Sequence, residues 1–148
     1  MTEPPAQGDG ALGLTRVDDL NGSTGPRVGL YTHNIKHGRR QSAAVTFLAP
    51  ARKRTNVRVV TGALAERIVF KDRRAVAVEA RVDGKLQRFD CSGEIVVSGG
   101  AMESPLLLQR SGIGDSERLK AAGIDVVAHS PDVGERMIEH LSISMPYR

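Results

Sequence analysis

Gly99 and Gly100 stand between a short β-branched run, Glu94-Ile95-Val96-Val97-Ser98, and an apolar stretch beginning at Leu106. Residues without side chains at a strand-to-helix turn let a ligand approach the main chain, and a helix N-terminus offers N–H donors to an anion, phosphate above all. The same glycines would equally let a helix pack tightly on a sheet, and spacing alone leaves both readings open. A complete G-x-G-x-x-G fingerprint is missing. Gly112-Ile113-Gly114 begins like one, but Glu117 stands at the third glycine position and the preceding residues are helical in pattern.

The other reactive residue types are sparse. His33 and His37 are four apart, the spacing that turns two rings toward one metal on a helix, but Gly38 interrupts the segment and no third ligand follows. A solvated loop pair is expected. His140 adjoins Glu139, yet neighbours on a helix diverge by about 100°, so a structural hydrogen bond is expected rather than an acid–base pair. Cys91, next to Asp90, has nothing beside it in sequence to lower its pKa and reads as a small packing residue. The basic clusters at 36–40, 52–54 and 71–74 lack interleaved aromatics, which suits solvated faces better than a nucleic-acid groove.

The elements that must position these residues follow from the pattern. Residues 1–30 are rich in Gly and Pro and read as a long irregular segment. A helix is expected from Ser42, as its cap, to Pro50, with Ala43, Ala44, Phe47 and Leu48 as an apolar stripe. Extended chain is expected from Val57 to Phe70, then a polar turn at 71–74 and a strand at 75–82 with Val76, Val78, Ala80 and Val82 on one face and Glu79 and Arg81 on the other. Asp83-Gly84 signals a hairpin into a third strand at 85–91, completing an antiparallel meander. The run 94–98 is apolar on both faces, as in a strand buried in a parallel sheet. Ser104-Pro105 reads as a cap and first helical residue. A second short helix spans 116–122, capped by Asp115 or Ser116 and stopped by Gly123, and 124–127 returns to extended chain.

Composition bounds the classes of protein this can be. The chain has 148 residues, a formal charge of +4 and 40% hydrophobic residues, enough for one domain or a piece of one. Three Phe, two Tyr and no Trp argue against base-stacking platforms. One cysteine excludes an internal disulfide and fits a reducing, cytoplasmic compartment. Charges or glycines interrupt every apolar run, so no membrane span is expected, and the first ten residues lack the pattern of a signal peptide.

The run Gly100-Ala101-Met102-Glu103-Ser104-Pro105-Leu106-Leu107-Leu108-Gln109-Arg110-Ser111-Gly112-Ile113-Gly114 resembles the second signature of the glucose-methanol-choline oxidoreductases. Gly38-Arg39-Arg40-Gln41-Ser42-Ala43-Ala44, the stretches 56–63 and 74–79, and the closing Pro131-Asp132-Val133-Gly134-Glu135-Arg136-Met137-Ile138-Glu139-His140 are also similar to that family in order and kind. The resemblance implies an α/β fold: part of an FAD-binding, Rossmann-like domain with a three-stranded antiparallel meander, leading into a substrate domain. Its implied boundaries are an irregular segment at 1–30, a partial FAD-binding domain at 31–130 and the start of the substrate domain at 131–148.

The same resemblance implies FAD as cofactor and a small-molecule alcohol as substrate, oxidised by hydride transfer to the flavin. It implies cofactor contacts at Ala65, through its main chain to adenine, and at Gly99, Gly100 and Ala101, packed close to the dinucleotide. Two parts of the family pattern are missing: the glycine fingerprint that holds the pyrophosphate and the His paired with His or Asn that handles the proton. Asp132, Arg136 and Glu139 replace the family's usual Gly, Asn and Asp, and His140 belongs to the closing motif, not to a catalytic pair. The chain therefore reads as an internal fragment, inactive alone, with no catalytic residue, no metal and no nucleic-acid partner, and with the remainder of the enzyme as a possible partner. A non-catalytic nucleotide-binding or structural module derived from the fold is the alternative.

Overall fold

The computed structural model describes residues 13–22, 24–30, 32–139 and 141. The expectation for His140 lies outside these residues, as do residues 1–12. The chain divides into two units, Met1–Val59 and Val60–Arg148.

In the first unit every element is short. β1 (Thr15–Arg16) pairs in parallel with β2 (Arg27–Val28), so the segment expected to be irregular contains one small ladder, closed by Arg27 Nε donating to the Leu20 carbonyl at 2.8 Å. β3 (Ile35–Lys36) and β4 (Arg39–Arg40) form a hairpin turned at His37-Gly38. The expected helix is present in altered form: a π-helical turn, Ala44–Leu48, runs into α1 (Ala49–Ala51). Ser42 does not cap it with its side chain; its carbonyl instead accepts from the N–H groups of Val45 and Thr46 and from Thr46 Oγ1. Pro50 sits inside the last turn, where its fixed φ is already helical. No described residue of this unit is buried, and Phe47, on the expected apolar stripe, is exposed.

The second unit is built on the meander. β5 (Ala63–Lys71), β6 (Arg74–Val82) and β7 (Lys85–Asp90) pair antiparallel in that order. Asp72 and Arg73 make the first turn and Asp83 and Gly84 the second, all four at positive φ, the backbone that matches strand twist in a two-residue hairpin. β5 starts later than expected, because residues 57–61 have no ladder partner among the described residues and the Val57 N–H closes a turn onto the Arg54 carbonyl. Bulges shift the β5 register between Ala65 and Arg67 and between Val69 and Phe70.

The expected two-faced pattern of β6 needs correction. Ala77 is fully covered although alternation places it with Glu79 and Arg81, while Val76 and Val78 are only half-buried. β6 is the central strand, and larger neighbours on both sides can close over a side chain as small as alanine.

α2 (Gly100–Arg110) packs on β5 and on β8 (Ile113–Gly114), and α3 (Ser116–Ala121) follows. β8 pairs in parallel with β9 (Ala128–His129), so the second of these strands forms just after the expected 124–127. Gly112 joins α2 to β8 at φ +87, and a Cβ there would meet Val127 Cγ2 at 2.9 Å and the Asp125 carbonyl more closely still, so only glycine fits. α3 is capped as expected: Asp115 accepts the Arg118 N–H at 3.0 Å, and Gly123 ends the helix at φ +73. The core comprises Ile68, Ala77, Ala80, Val82 and Leu119, with Ser111 as its buried polar member.

The run 94–98 forms no strand. Ile95 and Val97 are half-buried while Val96 is 82% exposed, so one face is covered and the other is bare. A parallel strand needs neighbours on its edges, and none is present among the described residues.

Candidate functional site

α2 begins five residues earlier than expected. Gly99 is its cap residue and Gly100, at φ +85, the first helical residue, which leaves Ser104 and Pro105 in the second turn. No side chain caps this end, so the Ser-Pro signal points to the wrong turn, and the only backbone loss is the N–H that Pro105 cannot give to the Ala101 carbonyl.

The two glycines play different parts. A Cβ on Gly99 would press on Glu103 Cβ at 3.1 Å and the Ser104 nitrogen at 3.2 Å, so this position serves close packing of the turn on its own helix. Around Gly100 nothing lies within 4 Å of where a Cβ would stand, and Gly99, Gly100 and Ala101 are all exposed. Gly99 thus answers to the packing reading, and Gly100 has no packing partner at its Cβ position. Glu103 occupies the first turn, where a carboxylate already answers the positive end of the helix dipole. The opening therefore suits a group that stacks against main chain better than one that depends on helix charge.

Beside this end of the helix, a cleft of about 400 Å³ runs between Ala101, Met102, Pro105 and Leu106 of α2 and Gly134, Met137 and Ile138 of the segment that follows β9. Gln109 fastens that segment by donating from Nε2 to the Val133 carbonyl at 2.9 Å, and Arg118 pairs with Glu135. Two departures from the family's closing motif meet each other here: Arg136, at φ +56, lies 3.3 Å from Asp132. Asn, the family's usual residue, tolerates that backbone better than Arg does.

Ala65 is reached by the side chain of the last residue of α2. It sits on β5 opposite Ala80, and its carbonyl accepts from Arg110 Nη2 at 3.4 Å. Arg110 Nε donates to the Glu66 carbonyl at 3.0 Å, and Ser111 Oγ accepts the Ile68 N–H at 2.8 Å while donating to the Leu107 carbonyl at 2.6 Å. The fold does not gather the four expected cofactor residues at one point. Ala65 meets the side chain of Arg110, the last residue of α2, whereas Gly99, Gly100 and Ala101 form the start of that helix. Arg110 and Ser111 were not singled out from sequence; the available signal was their place between an apolar helix and the obligatory glycine at 112.

His33 and His37 are exposed near the β3–β4 turn, and no group of three metal-ligating side chains occurs among the described residues. Cys91 is half-buried and its thiol donates to the Glu94 carbonyl at 3.4 Å, consistent with a packing role. The largest cause of the shift at Asp115 is the Arg118 N–H, which holds its carboxyl below the usual value, with the charges of His129 and Arg118 adding. The Arg67 guanidinium is raised by its hydrogen bond to Glu79, 2.8 Å away, and by that carboxylate's charge. No helix among the described residues is long and apolar enough to cross a membrane.

Comparison with known proteins supplies the frame for these features. A family profile described as GMC oxidoreductase matches residues 6–142. An oxygen-dependent choline dehydrogenase of Staphylococcus aureus is 40% identical over 136 residues, covering 92% of this chain and 24% of its own length. Among solved structures, a pyridoxine 4-oxidase from Mesorbium loti superposes with a TM-score of 0.62 and 36% identity over 67% of this chain and 19% of its own. A fungal aryl-alcohol oxidase does so with a TM-score of 0.60 and 35% identity over 64% of this chain and 16% of its own. The chain thus spans about a quarter of the length of the curated relative.

Proposed function

Because the chain belongs to the GMC oxidoreductase family, we propose that it carries part of the flavin site of an FAD-dependent enzyme that oxidises a small-molecule alcohol. When bound, the flavin would supply the redox chemistry, taking hydride from the alcohol carbon. The residues of this chain have a different task, which is to bind and orient. The exposed Gly100, with open space beside its Cα, leaves the main chain at the start of α2 free for close approach by the dinucleotide, and Ala101 continues that surface. Ala65 would meet the adenine end through its backbone, a contact that does not depend on its side chain.

Open space at Gly100, inside the span that matches the family profile, is the observation that carries this reading. The relatives' names specify choline, pyridoxine and aryl alcohol, which supports an alcohol as substrate class. The pyrophosphate fingerprint and the catalytic His pair are not in the 148 residues, so this chain by itself should bind without turnover. Titrating the purified chain with FAD should quench flavin fluorescence, ADP should reverse the quenching, and choline or benzyl alcohol should leave the flavin oxidised. No quenching would overturn the site; bleaching by an alcohol would overturn the assignment of these residues to binding alone.

A further inference from the structure

On a regular strand, successive carbonyls point to opposite edges, so one side chain cannot bond two in a row. The bulge between Ala65 and Arg67 changes this, and the oxygens of Ala65 and Glu66 both come within reach of the Arg110 guanidinium. One residue further on, Ser111 takes the Ile68 N–H. Three main-chain groups within four residues of β5 are therefore held by two adjacent side chains at the end of α2. Arg110 is not a core residue, since its side chain is 41% exposed, and its nearest carboxylate, Glu103, is 3.7 Å away. Its short bond is to the strand: the planar fork spans two carbonyls, which a lysine ammonium cannot do with the same geometry.

We propose that Arg110 is a positioning residue for the adenine end of the flavin dinucleotide, fixing the bulge at Glu66 so that the Ala65 main chain is already set when adenine arrives. This rests on the flavin-site reading above, in which Ala65 faces adenine. Preorganisation of that kind strengthens binding of the adenine half and leaves the isoalloxazine half unaffected.

The test compares FAD with FMN, which lacks the adenine half, on wild-type chain, Arg110→Ala and Arg110→Lys, alongside hydrogen exchange of the unliganded proteins. Wild type should bind FAD more tightly than FMN. Arg110→Ala should weaken FAD roughly tenfold, leave FMN unchanged, and speed exchange of the amides at 65–68, as expected for loss of charge-assisted hydrogen bonds at a preorganised contact. Arg110→Lys should fall between. If wild type prefers FAD but Arg110→Ala retains that preference or binds FAD more tightly, the role of Arg110 is overturned and the flavin site stands. Unchanged exchange at 65–68 overturns it without reference to flavin. If wild type does not distinguish FAD from FMN, the flavin-site reading fails and this inference fails with it.

Discussion

β6 and the extended run 94–98 are both apolar, β-branched segments of the second unit, and they end in opposite conditions. β6 has β5 on one side and β7 on the other, each reached through a two-residue turn, and three of its side chains are buried. The run 94–98 has no ladder partner among the described residues and leaves Val96 82% exposed. The difference lies in the distance to the partner. A hairpin strand finds its neighbour within a few residues, whereas a parallel strand depends on chain a crossover away. The meander therefore completes its ladders locally, and 94–98 is a strand-like segment without a ladder partner among the described residues.

Substitution should separate the two sharply. Ile68→Ala, at a core position on β5 that is 5% exposed, should cost about 2–5 kcal/mol in a denaturant melt. Val96→Ala should stay within about 0.5 kcal/mol, the range for exposed sites. Equal costs would break the contrast.

A smaller effect tests how the helix layer is tied to the meander. Ser111→Ala leaves the buried Ile68 N–H without its acceptor and should cost about 1–3 kcal/mol, the penalty of one unsatisfied buried group. Its signature would be faster exchange at Ile68 with β6–β7 amides little changed.

The smallest effect concerns pH. Hydrogen bonding lowers the Asp115 carboxyl in the fold, so its contribution to stability is complete above the unfolded value near 3.9 and is lost as pH falls through the depressed one. Protection of α3 amides should therefore decline below about pH 4 while the meander persists. Fraying of both together would show that the cap is not a local device.

What the sequence disclosed divides along the same line. Asp83-Gly84 and the Asp115 cap with Gly123 are chemical signals within two to eight residues of what they control, and each is found as expected. The start of α2 was misplaced because Ser104-Pro105 imitates a cap, whereas the actual start depends on backbone conformation at Gly100, which no side chain announces. The coverage of Ala77 and the bulge at Glu66 arise from pairing across strands. At the candidate site, Gly99, Gly100 and Ala101 were legible as a motif, but the clamp of Arg110 and Ser111 on β5 links positions more than forty residues apart and became visible only with the fold.

A dinucleotide held by this chain would meet both the Gly100 turn and Ala65. Amide chemical shifts recorded during titration of the chain with ADP and then FAD test it most directly. The account predicts that ADP perturbs Ala65 and its β5 neighbours and that FAD extends the change to Gly99, Gly100 and Ala101. Perturbation confined to the basic residues at 36–40, or none at Ala65 and the Gly100 turn, would contradict it.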